Sequence, residues 1–162
     1  MTMTRVKQHH TTRSGVTRNL ALSNQLAGIL LRAAMECDLD VHVVSGGQPP
    51  KGTSSRRVGS TRHDVGGGRM GAADVQLLRA GNMLAMTNAA DVPHLAKYVT
   101  FCVAEGANGV GAGVAYMGPS TIHIGGGGSA VWGGLKPSDR APDWLVRAHA
   151  DGMRKATAPK GG

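Results

Sequence analysis

The sequence has few aromatic residues and few cysteines. Five of the 162 residues are Phe, Trp or Tyr, whereas 25 are glycine, so we expect a core of small side chains with many turns. Cys37 and Cys102 lie far apart and lack the short spacing typical of metal or redox motifs. We therefore expect two free thiols, with a disulfide between them as the alternative.

Long apolar segments are also missing from the chain. No stretch approaches the roughly 20 apolar residues that cross a bilayer, so we expect no membrane insertion. The first twenty residues lack the apolar run of a secretory signal, and no such signal is predicted. The glycine-rich residues 66–71 are not followed by Gly-Lys-Ser or Gly-Lys-Thr, which argues against a phosphate-binding loop.

Positive charge is abundant and unevenly distributed. The net charge is +8, and residues 1–20 and 51–69 each contribute +4 to it. A basic surface of this kind attracts anionic wall polymers, nucleic acid or acidic protein surfaces. For residues 51–69 a solvated basic loop and a substrate-steering loop remain equal alternatives.

Local patterns predict a single domain at residues 20–157, between a flexible basic arm (1–19) and a tail (158–162). Ser23 or Asn24 can cap a helix that ends near Cys37, because apolar residues follow at helical spacing. Alternating apolar residues predict a strand at 40–45. The other predicted elements are a long loop at 51–71, a core strand at 72–78, a helix at 91–106, short strands within 108–132 and a helix from Pro142.

Two histidines and one aspartate form the most informative pattern in this sequence. His63 lies in Thr61-Arg62-His63, Asp74 ends the segment Ala72-Ala73-Asp74, and His123 lies between two isoleucines in a glycine-rich region. An imidazole in an apolar strand needs a polar partner, which a metal ion can supply. Two imidazoles and one carboxylate are a ligand set that leaves a fourth position on zinc for water.

These residues and their surroundings resemble a family of bacterial cell-wall peptidases. Residues 43–49 are similar to a turn that follows a strand in the D-alanyl-D-alanine carboxypeptidase and L-alanyl-D-glutamate endopeptidase group, which includes many phage endolysins. The segments around His63 and Asp74, and then Ile122-His123-Ile124-Gly125, follow in the family's order. The resemblance covers roughly residues 20–135. It implies an α+β fold of the DD-peptidase type, with a central, mostly antiparallel sheet and helices packed on it.

The sequence departs from the family's pattern at several positions. His63 and Asp74 are eleven positions apart, farther than in the family, with a glycine-rich insertion between them. A glycine-rich loop can bulge outward without moving its ends. Gln48 stands where the family has an arginine. Ser120 and Gly125 occupy the positions at which branches of the family carry an acid near the last histidine.

The resemblance implies a zinc-dependent peptidase that cuts a peptide bond in peptidoglycan stems. His63, Asp74 and His123 are then the zinc ligands. The general base is not identified by position: Asp64 is the nearest carboxylate in sequence, and Glu105 and Asp139 are more remote candidates. Gln48 or Arg62 is expected to hydrogen-bond the developing oxyanion.

The rival interpretation keeps the peptidase fold without its catalysis. The missing base, the lost arginine and the basic arm favour a structural component of a phage tail or baseplate that docks onto acidic neighbours. A nucleic-acid-binding protein is a weaker alternative, because aromatic residues are few and no recognition motif is present.

The expected location follows from the missing signal. A wall-directed enzyme without a signal reaches its substrate by holin-dependent release from the host cytoplasm to the periplasm, or as part of a phage virion.

Overall fold

The computed structural model describes residues 5–8, 12–13, 16–52 and 60–159, which form an α+β domain built on one main sheet. Seven strands form this sheet, in the order β1-β4-β5-β8-β7-β9 with β6 beside β5. Its strands are β1 (Val6–Gln8), β4 (Asp40–Ser45), β5 (Ala72–Arg79), β6 (Asn82–Met83), β7 (Gly109–Gly111), β8 (Thr121–Gly125) and β9 (Ala130–Trp132). A separate pair is formed by β2 (Thr12–Arg13) and β3 (Val16–Thr17).

Most neighbours in the main sheet are antiparallel. Within the described part of the chain, only the β1–β4 and β7–β9 strand pairs are parallel. The expectation of a single α+β domain with a mostly antiparallel sheet is confirmed. The strand predicted at 40–45 is also confirmed, and the one predicted at 72–78 runs one residue further, to Arg79.

Among the described residues, four α-helices pack on the sheet: α1 (Asn24–Cys37), α2 (Val92–Ala104), the short α3 (Val114–Met117) and α4 (Asp143–Thr157). Ser23 caps α1 as predicted, because its hydroxyl accepts a hydrogen bond of 3.1 Å from the Leu26 amide. Asp91 lies at the N-cap of α2 without capping it; its carboxylate accepts from the Ala85 amide instead. The α3 helix was not predicted, since four residues carry too little periodicity to be recognised.

The two faces of the sheet have opposite character. In β5, Ala73, Val75 and Leu77 are fully buried in the core beneath the helices. Successive side chains of a strand point to opposite faces, so Asp74 and Gln76 lie on the other face. The same alternation in β8 places Ile122 and Ile124 in the core and His123 beside Asp74. The polar face of the sheet therefore carries the predicted ligands.

Close contact between α2 and α4 completes the helical layer. Gly152 in α4 has no side chain to separate the helices: a Cβ there would lie 2.6 Å from the Val103 Cβ and 2.8 Å from the Thr100 carbonyl oxygen. The Tyr98 hydroxyl donates to the Leu30 carbonyl at 3.1 Å and joins α2 to α1. In the described part of the chain, no helix has both the length and the apolar character that crossing a membrane requires.

The predicted arm at 1–19 needs a correction. Residues 6–8 form β1, which pairs in parallel with β4, and the Val41 amide donates to the Arg5 carbonyl at 2.7 Å. The expectation of an arm separate from the domain is therefore wrong for these residues. An edge strand is held mainly by backbone hydrogen bonds, and three residues show no hydrophobic period. Residues 1–4, 9–11 and 14–15 of the predicted arm and 160–162 of the predicted tail lie outside the described residues.

The predicted loop at 51–71 is partly described. Residues 53–59 lie outside the described residues, and a 3-10 helix, η1 (Thr61–His63), follows them. The Ser60 hydroxyl accepts from the Arg62 amide at the start of η1. Asp64 ends this turn, with its amide hydrogen-bonded to the Thr61 carbonyl. This short helix sets the position of His63 next to the sheet.

Candidate metal centre

The three predicted ligands come from three elements and meet on the polar face of the sheet. Asp74 in β5 and His123 in β8 are directly opposite each other in an antiparallel ladder. Opposite residues of such a pair lie on the same face with their side chains close together. His63 reaches the same point from η1. All three side chains are buried, and one ligand atom from each lies within 4.8 Å of the others.

The spacing of the ligand atoms suits a small metal ion. Asp74 Oδ1 lies 3.1 Å from His123 Nδ1 and 3.6 Å from His63 Nε2. Zinc binds nitrogen and carboxylate oxygen at about 2.0–2.2 Å, which places the corners of a tetrahedral site about 3.3–3.6 Å apart. The two Asp74 distances lie close to this range, and the ligand atoms of the two histidines lie within 4.8 Å of each other. His63, Asp74 and His123 are therefore compatible with a bound metal ion.

A hydrogen bond outside the ligand set fixes the orientation of His63. Its Nδ1 lies 2.9 Å from the Gly46 carbonyl oxygen, which can only accept, so Nδ1 carries the proton. The ring then presents Nε2 towards Asp74 Oδ1 at 3.6 Å. A proton on Nε2 would interact favourably with the carboxylate in the absence of a metal, and a bound metal ion would take the place of that proton. A carbonyl behind an imidazole in this way is a common support for a metal ligand.

The electrostatics of the pair Asp74 and His123 favour the metal-binding protonation state. Burial alone would raise the pKa of Asp74, but hydrogen bonds from His123 and His63 and their charge outweigh it and hold that pKa well below its ordinary value. Burial is the main cause that lowers the pKa of His123; Asp74 opposes it, and the charges of His63 and Arg62 add to it. The low pKa favours the ionised carboxylate and the lowered pKa of His123 favours its neutral ring, and these are the forms in which the two groups bind metal.

Arg62 lies beside the centre rather than in it. Its Nη1 donates to the carbonyl oxygens of Gly126 at 2.9 Å and Gly128 at 3.4 Å, and its guanidinium carbon lies 4.8 Å from the centre of the Trp132 ring. The Trp132 ring in turn lies 4.8 Å from the ring of His123. Arg62, one of the two predicted oxyanion donors, thus holds the glycine-rich loop after β8 and contacts the ring of Trp132, which lies beside His123.

Gln48 and Asp64 form a buried pair next to the ligand set. Gln48 Nε2 donates to Asp64 Oδ1 at 2.9 Å and to the Ser60 carbonyl at 2.9 Å. The second carboxylate oxygen of Asp64 accepts from the Lys51 amide at 3.2 Å. Both carboxylate oxygens of Asp64, the candidate base nearest in sequence, therefore accept hydrogen bonds from Gln48 and Lys51, and Asp64 does not belong to the cluster of ligand atoms.

The two remote candidates for the base lie elsewhere. Glu105 follows α2 and pairs with Arg32 of α1 at 3.8 Å, in the helical layer. Asp139 lies after β9, where its carboxylate accepts from the Lys136 amide at 3.0 Å. All ten acidic residues of the chain are among the described residues. Of these, only Asp74 belongs to the cluster.

A comparison with protein-family models, with curated proteins and with solved structures finds no match to this chain. The buried His63, Asp74 and His123 cluster can hold a metal ion.

Sequence reasoning missed two features of this site. Trp132 was not selected from the sequence. It lies close to His123 because Gly111 of β7 is paired with His123 of β8 on one side and with Trp132 of β9 on the other. A Cβ at Gly111 would lie 2.2 Å from the indole Nε1 of Trp132. Arg18 was placed in the arm, although it lies 3.7 Å from Asp74. Glycines in strands indicate such close approaches, but they do not name the residue that approaches.

Proposed function

We propose that this protein is a zinc-dependent peptidase that hydrolyses a peptide bond in the stem peptides of bacterial peptidoglycan, in a phage or prophage setting. The observation that carries the proposal is the buried cluster of two imidazoles and one carboxylate, a ligand set that zinc uses in hydrolytic sites. The order of the ligands along the chain and the family resemblance supply the substrate class.

Each residue of the centre has a separate task in this proposal. His63, Asp74 and His123 hold the ion, which when bound polarises the scissile carbonyl and lowers the pKa of a bound water. The Gly46 carbonyl keeps the proton on Nδ1 of His63 and leaves Nε2 free to bind. Arg62 fixes the loop at Gly126 and Gly128 through its hydrogen bonds.

One observation favours a second function, in which the metal is structural. Hydrolysis needs a group that accepts a proton from the attacking water, and a carboxylate is the usual one. Apart from the ligand Asp74, no carboxylate of the described residues joins the cluster, and the oxygens of Asp64 hold Gln48 and Lys51. A metal that ties η1 to the sheet would then stabilise a tail or baseplate component without catalysis.

The test has two measurements on the same tag-free protein. Elemental mass spectrometry gives the zinc content of the wild type, of His63→Ala and of the matched control His42→Ala. His42 lies on the same face of the sheet, opposite Gln76 and outside the cluster. Chromatography then follows the release of stem peptides from purified sacculi.

The outcomes separate the alternatives. About one zinc per chain in the wild type and His42→Ala, its loss in His63→Ala, and zinc-dependent release of stem peptides would support the peptidase. The same zinc content without any release would support the structural role. A wild type that binds no zinc even after reconstitution would rule out both.

A further inference from the structure

The two-glycine turn after β4 joins the N-terminal segment to the metal centre. The Gly46 amide donates to the Arg18 carbonyl at 2.7 Å, and Leu20 and Gly47 exchange two backbone hydrogen bonds of 3.1 and 3.0 Å. A Cβ at Gly47 would lie 2.6 Å from Val65 Cγ1, so only glycine allows this approach. The Gly46 carbonyl accepts from His63 on the other side. One turn therefore holds both a ligand and residues 18–20.

The side chain of Arg18 continues this connection to the ligand carboxylate. Its Nη1 lies 3.7 Å from Asp74 Oδ2, and its Nε donates to Gln48 Oε1 at 3.3 Å. Gln48 is fully buried, and its amide nitrogen donates to Ser60 and Asp64, which fixes the direction of its oxygen. The Arg18 and Asp74 side chains are only 20% and 12% exposed. Such a pair is screened less than a surface ion pair.

We propose that Arg18 is a positioning residue of the metal centre: it holds Oδ2 of Asp74, so that Oδ1 faces His63 and His123. The inference depends on the metal-binding part of the proposed function. Gln48 stands where the resembled family has an arginine. In this structure the side-chain oxygen of Gln48 orients Arg18, an arginine of the N-terminal segment. The N-terminal segment is then a part of the centre and not an appendage.

Two effects of Arg18 on metal affinity have opposite signs. Removal of a partner that orients a metal ligand typically weakens binding about 10–100-fold. Removal of a positive charge near the site, by contrast, would strengthen the binding of a dication, because like charges repel. Positioning therefore predicts weaker zinc binding in Arg18→Ala, and a purely electrostatic role predicts tighter binding. The direction of the change distinguishes them.

The experiment measures the zinc dissociation constant of the full chain by competition with a zinc-responsive chelating dye. The variants are Arg18→Ala, Arg18→Lys and the matched control Arg5→Ala. Arg5 is also an N-terminal arginine in an ion pair, 2.9 Å from Asp38, but it lies at the first strand of the sheet and away from the cluster. The melting temperature of each metal-free variant is recorded alongside.

We expect zinc binding about 10–100-fold weaker in Arg18→Ala and unchanged in Arg5→Ala, with similar melting temperatures of the metal-free variants. Arg18→Lys should be intermediate, because lysine keeps the charge but lacks the planar fork that contacts Gln48 and Asp74 together. It also serves as the test if the alanine variant fails to fold. Wild-type affinity or tighter binding in the Arg18 variants would overturn the inference. A wild type without zinc would instead overturn the proposed function, and this inference with it.

Discussion

Gly111→Ala should force Trp132 away from His123. A Cβ at this position would lie 2.2 Å from Nε1, 2.3 Å from Cε2 and 2.8 Å from Cδ1 of the indole. Ordinary contacts between carbon atoms are about 3.5–4.0 Å, so the ring has to move by more than about 1 Å. It would then leave its position against both Arg62 and His123, in which each contact measures 4.8 Å.

The size of the effect follows from three contributions. Overpacking costs about 1–3 kcal/mol, and loss of the Arg62–Trp132 contact costs about 0.5–1 kcal/mol. Alanine is better than glycine in a strand by roughly 0.5–1 kcal/mol, which offsets part of this cost. We therefore expect Gly111→Ala to lower the free energy of unfolding by about 1–3 kcal/mol.

Urea denaturation followed by circular dichroism measures this change, and the emission of Trp132 in a Trp144→Phe background reports the ring's displacement. The control is a double-mutant cycle with Trp132→Ala, which removes the obstructing ring. In that background Gly111→Ala should become stabilising, by about 0.5–1 kcal/mol. If the substitution destabilises both backgrounds equally, the indole is not the cause and the reasoning is refuted.

Three further predictions concern the helical layer, the metal and the thiols. Gly152→Ala should lower the free energy of unfolding by about 1–2 kcal/mol, because its Cβ would lie 2.6 Å from Val103 of α2. Gly28→Ala should raise the free energy of unfolding by up to about 1 kcal/mol, because its Cβ would meet only the flexible end of Arg32 at 3.0 Å. Equal shifts of the two variants in urea denaturation would contradict this. Zinc at a hundred times its dissociation constant should stabilise the fold by about 2.7 kcal/mol and raise the melting temperature by about 5–10 °C. Calorimetry should show this rise in the wild type and in His42→Ala but not in His63→Ala. Burial raises the pKa of the Cys102 thiol, so iodoacetamide followed by mass spectrometry should modify it only after unfolding; rapid native labelling would argue against a buried thiol.

Local patterns in the sequence were sufficient for α1, β4 and most of β5, which carries Asp74. The serine cap and the apolar spacing after it placed α1, and alternation placed the strand at 40–45, because caps and hydrophobic periods are properties of neighbouring residues. Short elements were missed for the same reason. The β1 strand and α3 contain too few residues to show a period, and β1 depends on backbone pairing with β4.

The candidate site divides in a similar way. His63, Asp74 and His123 could be selected from the sequence because their settings are unusual. His123 lies between two isoleucines, and the segments around His63 and Asp74 consist largely of small residues. The structure brings the three side chains together. Asp64 was considered as the base because it is the nearest carboxylate in sequence to His63, and Gln48 was considered because it stands where the resembled family has an arginine. In the structure Gln48 and Asp64 hydrogen-bond each other, and Arg62 contacts backbone carbonyls and Trp132.

The sequence by itself determined which side chains can bind a metal. It also determined α1, β4 and most of β5, because caps and hydrophobic periods are properties of neighbouring residues. Only the tertiary structure decided that Arg18 lies against Asp74, that Trp132 covers His123 across Gly111, and that the carboxylate of Asp64 is held by Gln48. These contacts join residues far apart in the chain. They arise from the pairing order of the sheet and from the close approach that glycine permits, neither of which a local pattern specifies.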